Sequence, residues 1–103
     1  KHGYVLGLKV GLENRYIITS NRESGFGRYD IVLEPKEKGL NACVIEFKVY
    51  NPRRDKTLED TVKAALRQIE DKNYKADLRK KAIPEEKIKA YGFAFEGKNV
   101  LIG

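Results

Sequence analysis

The sequence predicts a mixed α/β fold in which helices cover a β-sheet, and three observations predict it. Short segments of alternating apolar and polar residues are typical of strands, and longer segments with apolar residues every three or four positions are typical of helices. These segments follow one another in the order α-β-β-β-α-β-β. Short connections between the first three strands predict an antiparallel meander, whereas the helix between the third and fourth strands predicts a right-handed parallel crossover.

The first helix is predicted over residues 3–13, where a rough apolar stripe accompanies two glycines that weaken the pattern. Strands are predicted where β-branched and aromatic residues concentrate, in segments 15–20, 28–34, 42–49, 87–95 and 100–102. Residues 21–25, "NRESG", have the composition of a turn because Asn, Ser and Gly occur together. Pro35 is expected to end the second strand.

The second helix is predicted to begin after Thr57, because Thr57 and Asp60 form a capping-box pattern. Acidic residues in its first turn suit the positive end of the helix dipole. Its apolar stripe, with spacings of four, four and three residues, consists of Leu58, Val62, Leu66 and Ile69. We expect this helix to continue to Lys75 or Leu78.

Length and charge narrow the classes of function. The 103 residues suit a single domain spanning residues 1–103, and the lack of an initiator Met leads us to expect a fragment of a longer chain. Lys and Arg number 21 and Asp and Glu 15, so the net charge of +6 is a moderate bias toward polyanions such as nucleic acid, with solubility alone as the alternative. The only histidine, His2, lies at the terminus, which argues against a histidine-based triad or zinc site.

Cysteine usage and hydropathy bear on the compartment. Cys43 is the only cysteine, so no internal disulfide can form, and its place in an apolar strand predicts a buried structural thiol. A lone thiol fits a reducing, cytoplasmic compartment. No segment approaches the roughly 20 apolar residues that a membrane helix needs, so no membrane partner is expected.

The segment "ACVIEFKV", residues 42–49, carries two opposite charges inside an otherwise apolar strand. Because strand side chains alternate between faces, Glu46 and Lys48 share one face with Val44. This face is either a solvated outer surface or a working site, and the strand alone does not decide between them.

Hairpin geometry predicts a second acidic residue opposite this strand. If the loop 35–41 is centred on Lys38, residues directly opposite each other have numbers that sum to 76, which sets Asp30 opposite Glu46. A one-residue slip would put charges into the apolar face and is disfavoured, whereas a two-residue slip survives this test.

Two carboxylates directly opposite each other repel, so Asp30 and Glu46 call for a positive partner. Arg28 and Lys48 are near, and a divalent cation is a further candidate, because Mg²⁺ takes oxygen ligands and often one or two carboxylates. Asp, Glu and Lys on adjacent strands are a set suited to metal-assisted phosphodiester hydrolysis. On geometry alone, the solvated face stays open.

Four segments in a fixed order resemble a known family: "SNRESGFGRYDIVLEP", "VIEFKV", "ALRQIEDKNY" and "YGFAFEGKNVLI". The first two resemble the D…(D/E)-x-K signature of the PD-(D/E)XK nuclease superfamily. The set looks like the domain of that superfamily found C-terminal to AAA-ATPase-like regions in bacterial and archaeal proteins. The resemblance covers essentially the whole chain. It implies a restriction-endonuclease-like core, hydrolysis of nucleic acid with DNA as the first candidate, Mg²⁺ or Mn²⁺, and an upstream ATPase-like region.

The resemblance also implies roles for individual residues. Asp30 and Glu46 match the metal-ligating acids, and Lys48 matches the catalytic lysine. The backbone carbonyl of Phe47 is implied as a further metal ligand. Gln68 matches a glutamine that relatives carry near the active site; a plain surface position on the helix is its alternative.

Three further positions bear on the match. Tyr29 stands where the superfamily has a proline, at a variable position. Tyr74 resembles a tyrosine that follows the glutamine at a different spacing in relatives, and we predict mainly a packing role for it. Glu13 is a candidate for an acid that many relatives place on the first helix, although that acid can also lie upstream of this chain.

Four arginines are predicted to contact nucleic-acid phosphates: Arg22, Arg28, Arg53 and Arg54. The first two flank a Gly-rich turn before Asp30, where a solvated turn is the alternative. Two hypotheses for function follow. The first is a Mg²⁺-dependent nuclease, and the second is a non-catalytic domain that binds nucleic acid or protein on the same fold. A homo-oligomer is compatible with both.

Overall fold

The structure is a computed structural model of the chain, and it describes residues 14–23 and 28–103. The predicted helix over residues 3–13, with Glu13, and the centre of the predicted Gly-rich turn lie outside these residues. The elements in chain order are β1 (Tyr16–Glu23), β2 (Arg28–Pro35), β3 (Ala42–Val49), α1 (Leu58–Asp71), α2 (Tyr74–Lys80), a 3-10 turn (Glu85–Lys87), β4 (Ile88–Glu96) and β5 (Asn99–Ile102). Neither described helix is long and apolar enough to cross a membrane.

The five strands form one mixed sheet in the order β1-β2-β3-β4-β5. The β1–β2, β2–β3 and β4–β5 pairs are antiparallel, and β3 pairs with β4 in parallel. The predicted meander and the parallel crossover through a helix are therefore confirmed. The predicted hairpin register is confirmed as well, because Asp30 lies opposite Glu46 and Ile31 opposite Ile45.

The first strand is longer than predicted. β1 extends to Glu23 and takes up Asn21 and Arg22, which the sequence placed in a turn. The reason is cross-strand pairing, since the end of β1 continues the β2 ladder as far as Arg28. Local turn propensity is outweighed there by ladder hydrogen bonds that the sequence alone does not reveal.

The prediction of one continuous second helix is wrong. It ends at Asp71, and α2 begins at Tyr74 after Asn73, whose φ of 57° lies in the left-handed region. Asn is one of the few residues that tolerate this conformation. The apolar stripe resumes at Leu78 beyond the break, so periodicity could not expose it. The predicted capping box of Thr57 is confirmed.

Both helices cover one face of the sheet. The core on that face joins strand and helix residues, namely Ala42, Val44, Ile69, Leu78 and Ile88. The other face carries a second apolar cluster around Ile31, Leu33 and Phe47. Cys43 packs against this second cluster half-buried, and burial raises the pKa of its thiol to about 11. It is therefore a protonated packing residue.

Candidate active site

Asp30, Glu46 and Lys48 lie on the sheet face that the helices cover. Asp30 of β2 and Glu46 of β3 are direct cross-strand partners, and Lys48 follows on the same face of β3. Asp30 and Glu46 are 0% exposed and Lys48 is 6% exposed. The solvated-face interpretation is therefore wrong: these charges are buried, and buried charges require partners.

Among the residues that the structure describes, donors from two parts of the chain hold Asp30. The side-chain amide of Asn21 in β1 donates to Oδ1 at 3.0 Å. Lys72 Nζ lies 3.1 Å from Oδ2, and the Tyr74 hydroxyl donates to the same oxygen. The buried negative charge of Asp30 is thus compensated by an ammonium group and two neutral donors.

The junction between α1 and α2 delivers two of these donors. Lys72 caps the C-terminal end of α1, and Tyr74 is the first residue of α2. The left-handed Asn73 between them turns the chain, and both flanking side chains reach Asp30. Lys72 Nζ also lies 5.9 Å from the centroid of the Tyr74 ring, within the range of a cation–π contact.

The Tyr74 hydroxyl stays protonated. Burial first, and then the hydrogen bond to Asp30 and its negative charge, raise the pKa of Tyr74 to about 12. The opposing effect of Lys72 is smaller. A hydroxyl with this pKa is a hydrogen-bond donor to the carboxylate throughout the physiological range.

Gln68 lies half-buried on α1, the helix that covers this face. It precedes Lys72 by four residues, and its carbonyl accepts the Lys72 backbone N–H at 3.1 Å. Residues four apart lie on the same side of a helix. Gln68 therefore shares the side of α1 from which Lys72 reaches Asp30, and its role in catalysis stays a prediction.

Phe47 separates Glu46 from Lys48, and its side chain lies on the opposite face. There it stacks on Tyr29 with ring centroids 4.5 Å apart, and on Phe95 at 6.0 Å. This aromatic row crosses β2, β3 and β4 directly beneath the charged residues. It fixes the relative positions of the strands that carry Asp30 and Glu46. The carbonyl of Phe47 as a metal ligand stays a prediction.

The predicted phosphate-binding arginines differ in their surroundings. Arg53 is exposed in the loop after β3. Arg54 is engaged within the chain, because its guanidinium lies 2.7 Å from Asp55 Oδ2 and donates to the Val49 carbonyl at 2.9 Å. Of the two remaining arginines, Arg22 and Arg28, the backbone positions show that Arg28 lies opposite Lys48 in the sheet register.

Asp55 anchors the loop that follows β3. It is 5% exposed and accepts hydrogen bonds from Arg54 and from the hydroxyl of Thr61 in α1 at 2.9 Å. The hydrogen bonds from Arg54 hold the pKa of Asp55 at about 2, with burial acting in the opposite direction. This anchor, which ties the end of β3 to the start of α1, was not predicted from the sequence.

The donor set fits a hard divalent cation. Directly opposite residues on antiparallel strands have Cβ atoms about 4.5–5.5 Å apart, a separation at which two carboxylates can reach one ion. Among the residues that the structure describes, no group of three or more His, Cys, Asp and Glu side chains gathers. A pair of carboxylates suits Mg²⁺, which keeps several waters and rarely has an all-protein ligand set.

Sequence reasoning missed two of the three partners of Asp30 and understated the third. Asn21 stood in a predicted turn, and Lys72 stood in a predicted continuous helix. Tyr74 does pack against the helix-side core, as predicted, but it also donates to Asp30. A usable signal was the "KNY" segment, in which an Asn between Lys and Tyr is compatible with a left-handed break.

Comparison with known proteins connects the chain to one family. Searches of curated proteins and of solved structures find no match. A sequence model described as the PD-(D/E)XK nuclease superfamily matches residues 2–103, nearly the whole chain. The matched range includes the paired acids, the lysine and both helices. The chain belongs to the PD-(D/E)XK nuclease superfamily.

Proposed function

We propose that this protein is a metal-dependent nuclease that hydrolyses phosphodiester bonds of nucleic acid, with DNA as the first candidate. The observation that carries the proposal is the pairing of two buried acids, Asp30 and Glu46, beside the buried Lys48. Burying two facing carboxylates costs free energy unless cations compensate both of them. A bound Mg²⁺ or Mn²⁺ ion would supply the positive charge that these two carboxylates require.

Each residue then has a distinct task. Asp30 and Glu46 hold the ion, with the Phe47 carbonyl as an additional ligand. A divalent ion bound there would polarise a phosphoryl oxygen and would lower the pKa of a coordinated water. Lys48 stabilises the negative charge that develops on the phosphate or orients the attacking water. Gln68, on the helix above, orients the water or the substrate.

The reaction is a hydrolysis. The water oxygen forms a bond to phosphorus and releases a proton to solvent, one phosphorus–oxygen ester bond breaks, and the leaving alkoxide takes up a proton from solvent. Arg53 lies exposed in the loop after β3, near the end of the strand that carries Lys48, and we assign it to the nucleic-acid backbone. Arg22, Arg28 and Arg54 belong to the same proposal. We place this activity in the cytoplasm, coupled to an upstream ATPase-like region.

One observation favours a second candidate, a non-catalytic domain that binds nucleic acid or protein. Asn21, Lys72 and Tyr74 already surround the carboxylate of Asp30. Because its charge is already compensated by these donors, Asp30 could also have a purely structural role. Cleavage assays separate the two candidates.

The experiment incubates the protein with linear duplex DNA, single-stranded DNA and RNA in Mg²⁺, Mn²⁺ or EDTA. We expect cleavage in either metal, none in EDTA, and a loss of at least about 100-fold in Asp30→Asn, since the amide is a poorer ligand. Asp71→Asn, which changes an exposed acid at the end of α1, is the matched control. Circular dichroism verifies that each variant folds. Metal-independent activity, or full activity in folded Asp30→Asn, would overturn the proposal.

A further inference from the structure

The strongest unexplained feature of the site is the lysine bound to a proposed metal ligand. Lys72 Nζ and the Tyr74 hydroxyl both approach Oδ2 of Asp30, and the Asn21 amide donates to Oδ1. A carboxylate offers about four lone-pair positions. Three of them are therefore occupied, and both positions on Oδ2 are taken.

A divalent cation has two ways to bind Asp30, and Lys72 opposes both of them. Binding at Oδ2 requires that one of its two donors leave. Binding at Oδ1 brings the ion close to the ammonium group of Lys72. Because Asp30 is buried, water screens the repulsion between these two positive charges only weakly. In either case the affinity of the site depends on where Lys72 lies.

We propose that Lys72 is an internal counter-ion that competes with the divalent cation for Asp30, so that metal binding displaces Lys72 from the carboxylate. This inference rests on the proposed function, and it adds a residue that sets metal affinity. Lys72 neutralises the buried charge of Asp30 while no metal is bound. It is a positioning residue that acts through Asp30.

The side chain of Lys72 can move away from Asp30, whereas that of Tyr74 is held in place. Its side chain is 22% exposed at the end of α1, and a lysine stem can carry its ammonium into solvent without moving the backbone. Tyr74 begins α2 and packs its ring against the helix-side core. A neutral hydroxyl does not repel a cation, so Tyr74 can keep its hydrogen bond while Lys72 departs.

A simpler alternative is that Lys72 only stabilises the fold. Both interpretations predict that Lys72→Met lowers the melting temperature of the metal-free protein, because Asp30 then loses the ammonium group that lies 3.1 Å from its Oδ2. Only competition predicts that the same substitution tightens metal binding. The two effects therefore have opposite directions in one variant.

The experiment measures Mn²⁺ binding by electron paramagnetic resonance of free Mn²⁺, with isothermal titration calorimetry as a second readout. The variants are Lys72→Met, Lys72→Arg and Lys75→Met. Lys75 pairs with Glu70 at 3.0 Å, and this ion pair does not involve Asp30, so its variant controls for the loss of one positive charge. We expect Lys72→Met to bind Mn²⁺ about tenfold more tightly, given an ammonium beside the ion in a medium of intermediate dielectric. Lys75→Met should differ less than about twofold.

The charge-preserving variant and the melting temperature sharpen the test. Lys72→Arg should bind Mn²⁺ no more tightly than the wild type. Saturating Mn²⁺ should restore the melting temperature that Lys72→Met loses, because a ligand that binds only the folded state stabilises it. Both results would support competition.

Contrary results are distinguishable. If the wild type binds Mn²⁺ and Lys72→Met binds it equally or more weakly, competition is wrong and the nuclease proposal stands. If neither the wild type nor any variant binds Mn²⁺, both proposals fail. Binding by Lys72→Met alone would support competition and would contradict the proposal that the wild-type protein is a metal-dependent nuclease.

Discussion

Glu46 in β3 and Gly92 in β4 are direct partners across the parallel strand pair, and Gly92 lies against α1. A Cβ atom at position 92 would lie 2.9 Å from the carbonyl oxygen of Val62 and 3.1 Å from the Cβ of Ala65. Only glycine allows the helix backbone to come this near the sheet. The burial of Glu46 thus depends on the absence of a side chain on the neighbouring strand.

The first prediction is that Gly92→Ala lowers the free energy of unfolding by about 1–3 kcal/mol, as overpacked cores do. The clash involves helix backbone, which cannot turn aside. Urea denaturation followed by circular dichroism measures the change. Lys98→Ala, at an exposed residue in the turn between β4 and β5, is the control and should change the free energy of unfolding by less than about 0.5 kcal/mol. Equal losses in both variants would contradict the argument.

The sheet was predictable because its signals are local. Alternation in β2 and β3 indicated which residues share a face and disfavoured a one-residue slip, and a loop centred on Lys38 then gave the register that sets Asp30 opposite Glu46. The paired acids and Lys48 therefore came from pattern alone. Their burial did not, because alternation does not say which face a helix will cover.

The partners of Asp30 were not predictable for a different reason. Lys72 and Tyr74 reach it across 42 and 44 residues of sequence, through a break at Asn73 that leaves the apolar stripe intact. Contacts of this kind depend on where α1 ends over the sheet. The ion pair between Arg54 and Asp55 was not predictable either, because it is a tertiary feature of the loop.

The second prediction concerns Tyr74 and Asp30. Tyr74→Phe keeps the ring in the core and removes only the hydroxyl that donates to the buried carboxylate. We expect a loss of about 1.5–3 kcal/mol in the free energy of unfolding, the range for hydrogen bonds to charged groups. Tyr91→Phe, at a tyrosine that is 40% exposed, should change stability by less than about 0.5 kcal/mol. Denaturant titration in EDTA measures both.

If Tyr74→Phe and Tyr91→Phe are equally stable, the hydroxyl of Tyr74 contributes nothing measurable to the fold. That result would contradict the role assigned to the α1–α2 junction in compensating the charge of Asp30. Retention of the near-ultraviolet circular dichroism spectrum would show that the ring of Tyr74 has kept its place.

The third prediction is a pH dependence due to Asp55. Its pKa is lowered from 3.8 to about 2 in the folded chain, so the folded state favours the charged form. The resulting stabilisation is complete above the unfolded pKa and is lost as pH falls from 3.8 to about 2. Asp55→Asn should lower stability by about 1–3 kcal/mol at neutral pH, because Arg54 and Thr61 lose an ionised partner. It should also flatten the pH profile in this window.

Urea denaturation at a series of pH values between pH 2 and pH 6, spaced by about half a pH unit, would measure this pH dependence. Glu96→Gln changes an exposed acid at the end of β4 and serves as the control. A profile for Asp55→Asn that is as steep as that of the wild type would show that other carboxyl groups cause the acid sensitivity.

The fourth prediction uses two residues with left-handed backbone, Asn73 at φ 57° and Ala82 at φ 64°. Ala82 carries a Cβ that this conformation disfavours, so Ala82→Gly should raise the free energy of unfolding by about 1 kcal/mol. Asn73→Ala should lower it by about 1 kcal/mol, and Asn73→Gly should leave it nearly unchanged. An alanine in the left-handed conformation is strained both at position 82 of the wild type and at position 73 of Asn73→Ala. Removing the alanine should therefore raise the free energy of unfolding and introducing it should lower it, which loss of a side-chain contact does not predict. Thermal denaturation of the three variants measures the order, and an Asn73→Ala chain as stable as Asn73→Gly would mean that the α1–α2 break does not depend on its left-handed residue.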